Sequence, residues 1–258
     1  METVVNLGRD IAYDHADRGG DAAGLCCIHG SGGSRTVWKS QRRLADSRPV
    51  TALDLSGHGA SEDIEAEPGY TTLSAYADDV LAVVAETESR VLVGNSLGGA
   101  IVLHILLERE FEPDAAVLAG SGARLGVLQD LLEWLETDFE RAIEFLHGED
   151  RFFHDPDPRL RELSIEAMRE CDRAVTSRDF HTCHEFDVRD RLGEIDVPVL
   201  AVCGEYDQLT PPRFHEYLAT EIDDAALYEI EDAAHLAMLE QPEAFNHAVA
   251  AFLDAHDL

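Results

Sequence analysis

Gly94-Asn95-Ser96-Leu97-Gly98 fits the pattern G-x-S-x-G, between an apolar run, "RVLVGN", and a helical one, "LGGAIVLHILLE". A strand that turns sharply into a helix lifts the serine hydroxyl into the crevice, and small neighbours keep the turn free of collisions. A serine hydroxyl is a weak nucleophile and needs a base, which in turn needs a group to orient it. On scaffolds of this kind the order along the chain is serine, acid, histidine. Asp207 follows the apolar run "PVLAVCG" in "EYDQLTPP", and His235 follows "AALYEI" in "EDAAHLAMLEQ". The order therefore predicts a triad of Ser96, Asp207 and His235. His235 would take the Ser96 proton, and Asp207 would fix its tautomer and stabilise the imidazolium. Glu205 and Asp232 are rivals for the acid. Asp207 is favoured because the prolines of "QLTPP" start the next helix and leave its carboxylate in the loop facing the crevice. His247 and His256, on or after the last helical stretch, read as surface residues.

The chemistry of such a set is acyl transfer, and its oxyanion needs N–H donors. "LCCIHGSGGS" dissolves at its end into small residues, His29 to Ser34, whose amides can turn toward a substrate oxygen. The Leu97 N–H, next after the nucleophile, is the second donor. A nucleotide site is not expected there, since the loop lacks the Lys-Ser/Thr of a P-loop and does not fit G-x-G-x-x-G. His181, Cys183 and His184 in "HTCHEFD" have no matching second half, so no metal is expected. An enzyme of this design needs no organic cofactor either.

These residues must be held by regular elements. "GLCCIHG", "PVTALDL", "RVLVGN", "AAVLAG", "PVLAVCG" and "AALYEI" read as strands, the middle ones without alternation, as when both sheet faces are covered. Amphipathic stretches over 36–45, 72–86, 98–110, 213–220 and 242–253 separate them, the pattern of a mostly parallel sheet with helices on both sides. "TVVNLGRDIAYDHAD" reads as an antiparallel hairpin at the sheet edge. From 121 to 191 no strand is evident. Helical stretches near 125–136, 138–147, 158–171 and 177–184 read as a cap over the sheet, leaving 1–120 and 192–258 as the core. Of the cap aromatics Trp134, Phe139, Phe145, Phe152 and Phe153, some are expected to line the pocket.

Composition narrows the partners. Twenty Lys plus Arg stand against 52 Asp plus Glu, for a net charge of −32. Such a surface repels nucleic acid and anionic membranes, so neither is expected as a partner, and a small molecule is. Only Lys39 is a lysine. This acid excess resembles that of cytoplasmic proteins from extreme halophiles, where molar salt shortens the Debye length to ~3 Å and suppresses self-repulsion. No stretch approaches the ~18 apolar residues of a membrane span. The first residues lack a basic region followed by an apolar run, so a cytoplasmic location is expected. The five cysteines are scattered and odd in number, as for thiols of a reducing compartment.

Taken together, "HG…GxSxG…D…H" resembles the single-domain members of the α/β-hydrolase superfamily, over nearly the whole chain from His29-Gly30 to the last helix. "LDLSGHGASE" (53–62) is similar to the family's D-x-x-G-H-G-x-S loop, with Gly57 and Gly59 as turn formers and His58 as a structural residue. The resemblance implies an α/β-hydrolase fold: a mostly parallel sheet flanked by helices, with a helical cap inserted after the sixth strand. It places the first oxyanion amide on Ser31, the residue after "HG". A serine at position 96 sets the chain apart from the branches that use aspartate (haloalkane dehalogenases, epoxide hydrolases) or cysteine (dienelactone hydrolases). Asn95 in "GNSLGG" is similar to the C–C bond hydrolases of aromatic-ring breakdown, but Gly32-Gly33-Ser34 lacks the proline of their "HG.GPG". Hydrolysis of a small ester-like substrate is therefore expected. The alternatives are C–C or lactone cleavage, an acyltransferase or perhydrolase, and a low-turnover ligand-binding protein on the same fold.

Overall fold

A single eight-stranded sheet organises the computed structural model, which describes residues 1–258. Its strands are β1 (Glu2–Asn6), β2 (Arg9–Ala16), β3 (Leu25–Ile28), β4 (Val50–Leu53), β5 (Val91–Asn95), β6 (Ala115–Ala119), β7 (Val199–Gly204) and β8 (Ala225–Ile230). They lie in the order β1-β2-β4-β3-β5-β6-β7-β8. The expected hairpin forms the antiparallel edge, with β1 on β2 and β2 on β4, and every other pairing is parallel. From β3 the chain moves outward to β4, then returns to place β5 on the other side of β3. The register Ile28↔Gly94 sets the two carboxyl ends side by side. That reversal of strand order opens a crevice where α/β sheets bind ligands.

Every residue of β3 to β7 is buried, and alternate side chains feed two separate cores. Cys26, Ile28, Leu92 and Leu118 face α1 (Tyr70–Thr87) and α2 (Leu97–Glu108), whereas Cys27, Val93, Val117 and Val202 face the other side. Burying side chains of this size stabilises the fold by roughly 1.5–3 kcal/mol each. β8 is the other edge, and Leu227 and Tyr228 stay exposed there.

The expected helix over 36–45 is instead two 3-10 turns, Arg35–Trp38 and Gln41–Asp46. β-Branched and aromatic residues disfavour a continuous helix here. Trp38 is fully buried against Phe245, and the Gln41 side chain donates to the Met238 carbonyl and to Asn246. Each turn is thus pinned separately.

Between β6 and β7 lie α3 (Gln129–Thr137), α4 (Phe139–Leu146), α5 (Pro158–Glu170) and α6 (Arg173–Glu185). Asp138, Asp157 and Asp172 cap the last three through backbone N–H groups, so α6 begins four residues earlier than its apolar pattern indicates. α3 starts later than expected because 123–125 runs antiparallel to 186–188. Val188 N–H donates to Ala123 O (2.8 Å) and Leu125 N–H to Phe186 O (3.4 Å). That short ladder ties the two ends of the insertion together at its base. α7 (Pro212–Glu221), α8 (Ala237–Glu240) and α9 (Pro242–Ala255) complete the chain. All five cysteines are free thiols, and no helix is long and apolar enough to cross a membrane.

Candidate active site

Ser96 occupies the one residue between β5 and α2, at φ 55° and ψ −115°. A non-glycine residue rarely adopts such a backbone, which costs of order 1–3 kcal/mol. Its surroundings over-determine it. The Ser96 amide donates to Ala119 O (2.9 Å), and its carbonyl accepts from Gly99 N–H and from the Ser121 hydroxyl (2.9 Å each). Ser121 is itself held by its amide, which donates to His215 Nε2 (3.0 Å). Burial pushes His215 down to about 4, so its imidazole stays neutral and able to accept. The turn closes only because Gly94 and Gly98 have no side chains. A Cβ at the first would run into the Gly98 carbonyl, and one at the second into the Ile28 carbonyl of β3.

Asp207 lies in the turn after β7 and His235 in the loop between β8 and α8, both buried. His235 Nδ1 is 2.9 Å from Asp207 Oδ2. The remaining capacity of the carboxylate is filled by the Leu209 and Thr210 amides (2.8 and 2.9 Å) and the Thr210 hydroxyl (2.7 Å). Burial alone would raise the Asp207 pKa, but the His235 partner and the Thr210 hydrogen bonds outweigh it and hold the group below the usual carboxylate range. An ionised carboxylate only accepts, so in the neutral imidazole the proton sits on Nδ1 and the lone pair on Nε2. The rivals lie apart from this pair. Glu205 and Asp232 are exposed, and the Asp232 amide points to the Glu205 carboxylate instead. His247 is exposed as expected, whereas His256 is half-buried and donates from Nδ1 to Phe252 O.

Three side chains hold the histidine loop, of which Asn95 and Phe152 stood out in the sequence for other reasons and Glu240 did not stand out at all. The Asn95 side-chain amide, at the edge of the cavity, donates to the carbonyls of Ala119 (3.2 Å) and His235 (3.3 Å), and so ties the serine corner to the histidine loop. Phe152 stacks on the His235 ring, with centroids 6.0 Å apart, and the His235 amide donates to Arg151 O. Glu240 of α8 accepts from the Ala234 amide (2.8 Å) and from the His154 and Asp155 amides of the insertion (2.8 and 3.2 Å). Thr210, which holds Asp207, did leave a local signal, since Asp-x-x-Thr is a turn in which the aspartate caps its own backbone.

The loop after β3 abuts the serine, since a Cβ on Gly30 would stand 3.0 Å from that of Ser96. The Ser31 amide makes no hydrogen bond within the protein. The Leu97 amide is the first of α2, with no preceding turn to supply an acceptor. Ser96, Ser31 and His235 all line a cavity of about 850 Å³ between these loops and the insertion. The His235 ring is hydrogen-bonded to Asp207 and Thr210, and none of its bonds goes to the Ser96 hydroxyl. Of the five aromatics singled out in the sequence, Phe145 and Phe152 line the cavity, while Trp134, Phe139 and Phe153 pack into the core beside it. Phe180 and Phe214 complete the aromatic lining. His181 pairs with Glu136, His184 with the Val127 backbone, and Cys183 faces Ser31, so these three side chains do not converge.

A profile described as "Alpha/beta hydrolase family" matches residues 27–248. A pimeloyl-[acyl-carrier protein] methyl ester esterase of Neisseria meningitidis serogroup A is 32% identical over 237 residues, covering 84% of this chain and 72% of that protein. The 3-oxoadipate enol-lactonase 2 of Acinetobacter baylyi is 24% identical over 95% of this chain and 94% of its own length. Among solved structures, a thermophilic esterase superposes with a TM-score of 0.86 at 29% identity, covering 99% of this chain and 97% of that one.

Proposed function

The chain belongs to the alpha/beta hydrolase family, and we propose that it is a serine esterase working through Ser96, His235 and Asp207. One observation carries this: Ser96 on its strained turn opens into the same cavity as a histidine whose Nδ1 is held by a buried carboxylate. Ser96 Oγ attacks the carbonyl carbon of an ester as His235 Nε2 takes its proton. The Ser31 and Leu97 amides receive the oxyanion, and His235 returns the proton to the leaving alkoxide. Water, deprotonated by the same nitrogen, then cleaves the acyl-enzyme and regenerates Ser96. No step calls on a metal or cofactor.

Residues 121–191 act as a cap in this scheme, supplying much of the apolar wall against which a small acyl or alcohol group packs. A lactone is a cyclic ester and meets the same groups. The enol-lactonase relative makes it the second reading. A fluorophosphonate should label the wild-type protein stoichiometrically at Ser96 and leave Ser96→Ala unlabelled, alongside hydrolysis of short p-nitrophenyl esters. Absence of labelling on folded wild-type protein would sink the assignment. Parallel assays on simple γ-lactones separate the two substrate classes.

A further inference from the structure

Behind the loop that follows β3 lies a second carboxylate–histidine pair, which the chemistry above does not use. Asp179 sits on α6, fully buried, with both oxygens occupied. Oδ1 accepts from the Tyr76 hydroxyl of α1 (2.8 Å). Oδ2 accepts from His58 Nε2, in the loop after β4 (2.9 Å), and from the Gly32 amide (3.2 Å). One side chain of the insertion thus ties three parts of the core together. α6 meets the loop at two further points. A Cβ on Gly32 would come 3.2 Å from Thr176 Cγ2, and Cys183 Sγ lies 3.6 Å from the Ser31 hydroxyl. Thr176, Asp179 and Cys183 stand at i, i+3 and i+7, one buried stripe of the helix.

The stripe matters because of what the loop presents. The Ser31 N–H shares a planar trans peptide with the Gly30 carbonyl, so fixing one end of that plane aims the other. His29 Nδ1 and the Gly33 amide hold the Gly30 carbonyl, at 2.8 and 3.1 Å. On the far side the chain reverses at Gly32, φ +63°, and the Gly32 amide has Asp179 as its acceptor. We propose that Asp179 is a positioning residue that aims the oxyanion-binding amide of Ser31, so that α6 completes the site as well as covering it. This rests on the serine-hydrolase reading. The His58 partner also has a purpose here. A bare carboxylate behind an oxyanion site would repel the developing charge, whereas an imidazolium–carboxylate pair offers a strong acceptor with no net charge.

Asp179→Ala and Asp179→Asn test it, together with the double variant His58→Leu/Asp179→Leu. The double variant replaces the ion pair with apolar bulk, a change buried pairs commonly tolerate, and so keeps the test open if Asp179→Ala does not fold. Asparagine still offers Gly32 an acceptor and should hold kcat within about fivefold of wild type. Alanine and the double leucine variant should lose about 30- to 100-fold in kcat with KM within about threefold, the size expected for a misplaced oxyanion donor. Phenylboronic acid, which forms a tetrahedral adduct on the serine, should weaken by the same factor as kcat/KM. Amide exchange at Gly32 should quicken at least tenfold. A folded alanine or double leucine variant with kcat within threefold of wild type overturns the proposal. Wild-type protein that fluorophosphonate does not label overturns the serine-hydrolase reading itself, and this proposal with it.

Discussion

Two buried histidine–aspartate pairs occupy this molecule, Asp207–His235 and Asp179–His58, with the same nitrogen-to-oxygen distance of 2.9 Å. What separates them is the second ring nitrogen. His58 Nδ1 faces the Ser56 carbonyl (3.2 Å) and its Nε2 faces Asp179, so both nitrogens meet acceptors and both hold protons. Burial opposes that charge, but the Asp179 carboxylate outweighs it and keeps the His58 pKa well above its ordinary value. His235 gives Nδ1 to Asp207 and leaves Nε2 toward the cavity. A histidine with both nitrogens committed can only hold a structure together. One with a free lone pair can move a proton. Distance and burial alone would not tell the two apart.

The largest effect should come from Asp207→Asn. The amide holds the wrong tautomer of His235 with little change of shape, and a loss of about 10³- to 10⁴-fold in kcat is expected. The melting temperature should change by only a few degrees. Glu205→Gln, altering the exposed neighbour, should leave turnover within twofold. If turnover survives in Asp207→Asn and falls in Glu205→Gln, the acid role passes to Glu205 and the comparison collapses.

His58→Gln should show the reverse profile. Removing the imidazolium strands the Asp179 carboxylate, at a cost of about 3–5 kcal/mol in stability. For a chain of this length each kcal/mol lowers Tm by roughly 2–4 °C, so a drop of about 6–20 °C is expected. Asp179 still accepts from Gly32 in this variant, so kcat should fall less than tenfold. A loss beyond about 100-fold, more than a misplaced oxyanion amide or the stranded Asp179 charge accounts for, would place His58 on the reaction path.

The two pairs sharpen further in acid. Asp207 and Asp179 both have depressed pKa values, so each stabilises the fold above the ordinary aspartate pKa and loses that contribution as pH falls through its folded value. His58, being raised, contributes fully below about 6.5 and loses it only as pH rises through its folded pKa. Burial also pushes His29, His104, His147 and His215 down to about 4. The unfolded chain therefore binds more protons than the folded one between about pH 6.5 and 4. Stability should fall steeply across that window, at up to about 1.4 kcal/mol per pH unit for each such histidine. Denaturant titrations at pH 7, 5.5 and 4.5 check this, and a flat profile would contradict the neutral burial of these rings.

How legible the molecule was follows from the range of each interaction. β3 to β8 and the Ser96 corner declared themselves because short apolar runs and paired glycines are local patterns. The pairing of Asp207 with His235 was legible because chain order stands in for tertiary contact in this family. Asp179 was invisible, since its hydrogen bond to Gly32 spans 147 positions and nothing near either residue announces the other. Asn95 was visible for its place before the nucleophile, but its hydrogen bonds to the Ala119 and His235 carbonyls, 24 and 140 positions away, were not. The break between the two 3-10 turns escaped for the same reason as Asp179, because Gln41 finds its partners near the far end of the chain.

Salt should have the smallest effect on chemistry and a distinct one on stability, which separates the buried pairs from the acidic surface. Most of the arginine–carboxylate contacts have at least one exposed partner, such as Arg43–Glu243 or Arg159–Glu162, and each of these is worth about 0–1 kcal/mol. Molar KCl screens those few attractions, but it also screens the repulsion of a chain carrying −32, which is the larger sum. Tm should therefore rise from dilute buffer to about 2 M KCl. Asp207–His235 is shielded by burial, so the ratio of wild-type to Asp207→Asn turnover should stay within about twofold over the same range. A Tm that stays flat or falls would remove the halophile-like interpretation of the composition while leaving the proposed site intact. A ratio that collapsed with salt would mean instead that Asp207 acts through a solvent-exposed field, contrary to its place beneath His235.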